Sequence, residues 1–128
     1  MGRGETSDRG GDGETLIVYL TAGSAEEAGR LADALVNERL AACVNVLPHI
    51  RSVYRWRGGV ERAEESALIA KTRADRFDAL CARVRALHSY ETPCIVAWPI
   101  TRGFSPFLRW VSEECVAGTS DPPAENKH

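Results

Sequence analysis

The sequence has no long apolar run. The longest such stretches, for example Cys94 to Ile100, are far shorter than the roughly 20 residues that a membrane-spanning helix needs. The first residues are rich in glycine and charge and contain no apolar segment, so we expect neither a signal peptide nor a membrane anchor there. The expected location is therefore the cytoplasm, without membrane contact.

A strong charge of either sign is also missing. The chain has 16 Lys and Arg residues against 18 Asp and Glu residues, a formal net charge of −2. The acidic excess lies near the two ends, and the segment between them is close to neutral. Proteins that bind nucleic acid need a dense basic surface, because neutralised phosphates supply most of their affinity. A nucleic-acid partner is therefore not expected.

Closely paired cysteines are absent as well. The four cysteines, Cys43, Cys81, Cys94 and Cys115, show no CxxC or CxxH spacing. A small secreted domain held by disulfides would be denser in cysteine and would carry a targeting signal. We interpret all four as reduced thiols, in agreement with a cytoplasmic location.

The familiar catalytic motifs are missing too. The sequence has no glycine-rich phosphate loop, no GxSxG and no HExxH, which are typical of nucleotide-binding proteins, hydrolases and metalloproteases. A cysteine and a histidine could form a nucleophile–base pair, but no third group is evident that would orient them. We expect that the protein is not an enzyme, with a thiol-dependent enzyme as an alternative.

The 128 residues, with a mass of 14.0 kDa, are enough for one domain with one core. Residues 1–14 and 117–128 are rich in glycine, proline or charge. Such segments cannot bury enough apolar surface to offset the entropy lost on ordering. We predict two disordered tails around one domain that spans residues 15–116.

Strand and helix signals alternate within this domain. Leu16 to Ala22 is a short apolar run typical of a central strand. Ser24 and Glu27 form a capping box that begins a helix. Two long extended segments follow at 42–57 and 60–71, joined by a tight turn at Gly58 and Gly59.

The second half repeats the order of helix and strand. Thr72 and Asp75 predict the cap of a second helix, which is followed by a strand at 94–100. Ser105 and Pro106 indicate a last short helix. The complete order predicts an α+β, ferredoxin-like split βαβ fold. It has an antiparallel sheet with two helices on one face, an extended hairpin and a C-terminal helix.

The two hairpin arms exceed what the sheet of so small a domain can pair. Each arm has about 12 to 16 residues, whereas strands usually have about 5–6. The excess would project as a ribbon with Val53, Tyr54 and Trp56 near its tip, while Glu64 and Glu65 are interpreted as a solvated strand edge. Open edges and large apolar groups favour a closed oligomer that covers them.

Four segments in this order resemble the CutA divalent-cation tolerance family. They are AACVNVLP at 41–48, SVYRWRGGVE at 52–61, IAKT at 69–72 and LHSYETP at 87–93. The resemblance implies a ferredoxin-like subunit, a homotrimer built by the long hairpins, and a function in the response to metal ions, notably copper. It also implies kinship with trimeric signalling proteins, and no enzymatic reaction is established for the family.

The resemblance implies candidate metal ligands at Cys43, His88 and Cys94. Thiolates prefer Cu(I), and a neutral imidazole is the commonest metal ligand. The alternatives are a small buried hydrophobe for Cys43 and a residue that closes a helix for His88. Some members carry further ligands where this chain has Leu20 and Leu87. We expect copper, preferably Cu(I), or another divalent metal, which is not required for folding.

Five further residues lie in the family's characteristic segments: Tyr54, Trp56, Lys71, Tyr90 and Glu91. They could line a cleft between subunits that holds a small ligand. The alternative is plain interface packing, since Tyr and Trp are enriched in interfaces. The sequence therefore leaves two interpretations open. The protein is either a trimeric metal-binding protein or a trimeric signalling or scaffold module that binds a small ligand or a partner.

Overall fold

The fold is built from four strands and three helices in the order that the sequence predicts. The elements are strand β1 (Thr15–Ala22), helix α1 (Ala25–Asn37), strand β2 (Cys43–Trp56), strand β3 (Gly59–Arg73), a 3-10 turn (Ala74–Arg76), helix α2 (Phe77–Leu87), strand β4 (Ile95–Pro99) and helix α3 (Ser105–Glu114). The expected α+β, ferredoxin-like split βαβ architecture is confirmed.

This computed structural model describes residues 14–116. The two predicted tails lie outside these residues, except for Glu14, whose carbonyl oxygen accepts a hydrogen bond of 2.8 Å from the N–H of Ala74. None of the helices within residues 14–116 has the length and apolar character that a bilayer crossing requires.

The sheet is antiparallel, with the strand order β2-β3-β1-β4. Alternate residues of β1 are buried, and they pack against α1 and α2 in one apolar core. The largest members of this core are Val18, Leu20, Leu31, Leu35, Leu68, Leu80 and Val84. The opposite face of the sheet carries Tyr19, Ile69 and Val96 in one row, and they remain partly exposed.

The hairpin of β2 and β3 projects beyond the sheet, as expected from its length. Strand β1 pairs with β3 only between Ser66 and Arg73, so residues 59–65 of β3 pair with β2 alone. This ribbon is about 20 Å long. Its apolar side chains are exposed, with 64% of Val53, 43% of Trp56 and 49% of Val60 accessible to solvent.

The turn of the hairpin consists of Arg57 and Gly58 rather than the two glycines. Trp56 pairs with Gly59, which leaves two residues in the loop. Both have positive φ angles, 50° for Arg57 and 87° for Gly58. This conformation is typical of a type I′ turn, whose twist matches that of the flanking strands.

A β-bulge interrupts β2 where the ribbon leaves the sheet. The register shifts between Leu47 and Ile50, so that Pro48 and His49 together stand opposite Ser66. His49 adopts a left-handed φ of 64°. Proline is tolerated here because β2 is an edge strand and the bulge needs no ladder hydrogen bond from it. Bulges bend a strand and increase its twist, so this one sets the direction of the ribbon.

The capping box predicted at Thr72 and Asp75 is wrong. Thr72 lies inside β3, and its hydroxyl donates a 2.7 Å hydrogen bond to the carbonyl oxygen of Leu40. Asp75 instead pairs with Arg73 at 2.6 Å. Pairing with β1 keeps the chain extended as far as Arg73, and α2 therefore begins only at Phe77.

Candidate functional site

Glu27 joins the start of α1 to the segment after α2. The hydroxyl of Ser24 accepts a 3.1 Å hydrogen bond from the N–H of Glu27, as the predicted capping box requires. The Glu27 carboxylate accepts hydrogen bonds from the N–H of Gly23 at 2.9 Å and from the N–H and hydroxyl of Ser89 at 2.7 and 3.0 Å. One buried side chain thus holds two loops together.

The Glu27 carboxylate is stabilised in its charged form. Burial opposes ionisation and raises the pKa, but the hydrogen bonds from Gly23 and Ser89, together with the nearby His88 ring, outweigh it. The net result is a lowered pKa for Glu27. A carboxylate that accepts several hydrogen bonds behaves in this way even when it is desolvated.

His88 is fully enclosed, with none of its side chain exposed. Its Nε2 lies 2.7 Å from the carbonyl oxygen of Thr21, and its Nδ1 accepts a 3.0 Å hydrogen bond from the N–H of Tyr90. A carbonyl only accepts and an amide N–H only donates, so the proton belongs on Nε2. Both ring nitrogens are therefore engaged, and neither is free to bind a metal ion.

Tyr90 carries its hydroxyl to the base of the hairpin. The phenol donates a 2.6 Å hydrogen bond to Oε2 of Glu65. Burial and then the hydrogen bond and charge of Glu65 raise the pKa of Tyr90 well above its usual value. Gly23 makes room for this ring, because a Cβ there would lie 3.3 Å from ring and hydroxyl atoms of Tyr90.

A cavity of about 470 Å³ opens between the hairpin and the segment that leads into β4. Its lining residues are Thr21, Ser52, Tyr54, Trp56, Glu65, Tyr90, Glu91, Thr92 and Cys94. Four of the five predicted cleft residues are among them. The fifth, Lys71, is not in the lining, and its ammonium group donates to the side-chain oxygen of Asn45 instead.

The interpretation of Glu65 as a solvated residue is wrong. Only 8% of Glu65 is exposed, and it lines the cavity. Its neighbour Glu64 does face solvent, where its carboxylate lies 2.9 Å from Nδ1 of His49. Successive residues of a strand point to opposite faces, but two adjacent glutamates do not reveal which one points inward.

A guanidinium group contacts two residues of the cavity lining. Arg57 lies over the ring of Trp56, with 5.4 Å between its Cζ and the ring centroid. One of its nitrogens is 3.4 Å from Oε1 of Glu91. The cation is thus in contact with an aromatic face and a carboxylate that both line the cavity.

Two of the three predicted metal ligands, Cys43 and Cys94, are far apart in the sheet. Cys43 begins β2 at one edge of the sheet, and Cys94 directly precedes β4 at the other. Three strand spacings separate these edges, about 14 Å before any offset along the strands. Within residues 14–116, no three His, Cys, Asp or Glu side chains are grouped to hold a metal ion.

The two thiols are also in environments that favour the protonated form. Burial raises the pKa of Cys43, and the charge of Lys71 offsets part of this effect. Burial and the charge of Glu65 both raise the pKa of Cys94. Since the thiolate is the metal ligand and the nucleophile, these surroundings make both thiols less ready for either role.

Comparison with known proteins assigns the chain to a family. Residues 16–114 match the family model of the CutA1 divalent ion tolerance protein. The chain belongs to the CutA family. A CutA divalent-cation tolerance protein of Archaeoglobus fulgidus is 50% identical over 97 residues, which are 76% of this chain and 94% of that protein.

Other CutA proteins agree with this assignment. A CutA protein of Thermus thermophilus is 47% identical over 97 residues, again 76% of this chain and 94% of that protein. The solved structure of the periplasmic divalent cation tolerance protein CutA of Archaeoglobus fulgidus matches with a TM-score of 0.77 at 47% identity. That match covers 80% of this chain and 99% of the solved one.

The two positions at which the family resemblance implies further metal ligands are apolar in this chain. Leu20 is completely buried in the core between the sheet and the helices. Leu87 ends α2 and is 41% exposed. Neither side chain offers a donor atom, so these positions add no ligand to His88 or Cys94.

Proposed function

We propose that this CutA protein is a homotrimeric binding module that takes part in the response to metal ions, with the cavity beside the hairpin as its binding site. The observation that carries the proposal is the convergence of Tyr54, Trp56, Tyr90 and Glu91 on one cavity of about 470 Å³. Such a volume is in the range of small-molecule sites.

The anchoring of the Tyr90 segment supports a preformed site. Glu27 holds Ser89, and the ring of His88 bridges Thr21 and the N–H of Tyr90. These hydrogen bonds fix the Tyr90 segment, which forms one wall of the cavity. A ligand would therefore bind without first having to order this segment. Preorganisation of this kind lowers the entropic cost of binding.

A trimer accounts for surfaces that one subunit leaves open. The ribbon exposes Val53 and Val60, and the helix-free face of the sheet carries Val96 and Trp98, which are 51% and 48% exposed. A sheet normally buries its apolar face against another layer. Closed symmetric assembly would cover this face and the ribbon together without leaving strand edges free.

Copper ligation by Cys43, His88 and Cys94 stays a prediction. The side chains within residues 14–116 do not fit a common copper centre in one subunit, because His88 is hydrogen-bonded at both nitrogens and the thiols are at opposite edges. We therefore favour ligand binding over direct metal binding, and binding over catalysis. The four free cysteines support a reducing, cytoplasmic location.

The assembly is tested by light scattering coupled to size-exclusion chromatography. We expect about three times the chain mass of 14.0 kDa. Trp98→Glu, which places a charge on the open face of the sheet, should reduce the mass to that of one chain. The matched control is Ala82→Glu on the exposed surface of α2, which should leave the mass unchanged. A parent protein that is monomeric at micromolar concentration would refute the proposal.

A further inference from the structure

We infer that the cavity binds a small organic cation with a guanidinium or alkylammonium head group. The inference rests on the proposed function, because it names the ligand class for the same cavity. It is argued from the charges of the lining, the aromatic walls and the position of Arg57.

The lining carries negative charge without a basic residue. Glu65 and Glu91 contribute carboxylates, and none of the nine lining side chains is Lys, Arg or His. Within residues 14–116, the hydrogen bond of the Glu65 carboxylate comes from the neutral Tyr90 phenol, and no basic side chain forms an ion pair with it. A buried carboxylate without a cation is costly, and a cationic ligand would remove that cost.

The electrostatic effect of Glu65 reaches the other polar groups of the cavity. After burial, its charge is the next cause that raises the pKa of the Cys94 thiol. Glu65 also contributes to the raised pKa of Tyr90. Both shifts disfavour additional negative charge, so an anionic ligand would be repelled from the same space.

The aromatic residues suit a cation as well. Tyr54, Trp56 and Tyr90 line the cavity, and the face of an aromatic ring attracts a cation within about 6 Å of its centroid. The protein already contains one example. The guanidinium of Arg57 lies 5.4 Å from the Trp56 centroid and 3.4 Å from the Glu91 carboxylate.

The position of Arg57 therefore shows that Trp56 and Glu91 can bind a guanidinium group. Arg57 would also compete with a cationic ligand for these two residues. Its side chain is 73% exposed, so a free ligand can replace it beside Trp56 and Glu91, while the more buried carboxylate of Glu65 remains available. Removing the Arg57 side chain should strengthen cation binding, whereas neutralising Glu65 should weaken it. If the two substitutions instead acted by disrupting the fold, both the Arg57 variant and the Glu65 variant would bind the cation more weakly.

Isothermal titration calorimetry with the full chain tests the inference, using butylguanidinium and its neutral isostere butylurea as probes. We expect butylguanidinium to bind about tenfold more tightly than butylurea. Glu65→Gln should remove most of this difference. The control Glu64→Gln changes the neighbouring solvent-facing carboxylate and should have no effect. Arg57→Gly, which suits the positive φ of this turn position, should tighten butylguanidinium binding.

The outcomes separate the ligand class from the site itself. Equal binding of butylurea and butylguanidinium, abolished in both cases by Trp56→Leu, would overturn the cationic inference and keep the cavity as a site. No binding of either probe to a trimeric parent would overturn the inference and the cavity as the working site, but not the assembly. If Glu65→Gln dissociates the trimer, the cation that neutralises Glu65 belongs to a neighbouring subunit and the inference is also wrong.

Discussion

Replacing Glu27 by alanine tests whether the buried carboxylate holds the wall of the cavity. The substitution leaves three donors without their acceptor, the N–H of Gly23 and the N–H and hydroxyl of Ser89. Hydrogen bonds to a charged group contribute about 1.5–3 kcal/mol each. Ser89 is exposed and recovers part of this from water, so we expect the free energy of unfolding to fall by about 3 kcal/mol.

This loss translates into a large shift of the melting temperature. A domain of about 100 residues has an unfolding entropy of about 0.2 kcal/mol/K, so 3 kcal/mol corresponds to about 15 °C. Differential scanning calorimetry of the parent and Glu27→Ala at one protein concentration measures the shift. Glu26→Ala is the control, since Glu26 is the exposed neighbour in the same helical turn. Equal shifts in the two variants would refute the reasoning.

The difference in melting temperature between the parent and Glu27→Ala should also depend on pH. The folded-state pKa of Glu27 lies below its ordinary value of 4.5. Its carboxylate therefore stabilises the fold at pH values above 4.5, and this contribution is lost as the pH falls through the folded-state pKa. The difference in melting temperature between parent and Glu27→Ala should be constant near neutral pH and should narrow in acid.

Two other predictions concern single side chains. In an alkaline titration followed by ultraviolet absorbance, one of the three tyrosines should ionise only well above the usual range, and Tyr90→Phe should remove that late step. A titration unchanged by the substitution would contradict the Tyr90–Glu65 hydrogen bond. In competition with a Cu(I) chelator, the effects of Cys43→Ala and Cys94→Ala should add, because the thiols lie at opposite edges of the sheet. A loss greater than the sum would indicate a shared centre.

The secondary structure could be predicted from the sequence because its signals are local. An apolar run at 16–22, the helix cap at Ser24 and a glycine-containing turn between two long extended segments indicate the order of the first elements. The helix cap at Thr72 failed for a reason that is not local. Pairing of β3 with β1 continues to Arg73, and this tertiary interaction outweighs the local capping preference.

The candidate site was predicted only in part. Aromatic residues near the hairpin tip stood out, but Glu65 did not, because two adjacent glutamates carry no periodicity that tells inside from outside. The bulge at Pro48 and His49 changes the register of β2 against β3, and no local signal marked it. The distance between Cys43 and Cys94 depends on strand order, which is a property of the whole sheet.

The long hairpin also favours one order of folding events. Strands β2 and β3 are joined by a two-residue turn, so their pairing closes a minimal loop and needs about 1–10 μs. The contacts of β1 with β3 and β4 join residues far apart in sequence and form more slowly. In the proposed trimer, a subunit would therefore meet its neighbours with the ribbon already paired. The last step of the proposed assembly would then be an encounter between folded subunits, and its rate should rise with protein concentration.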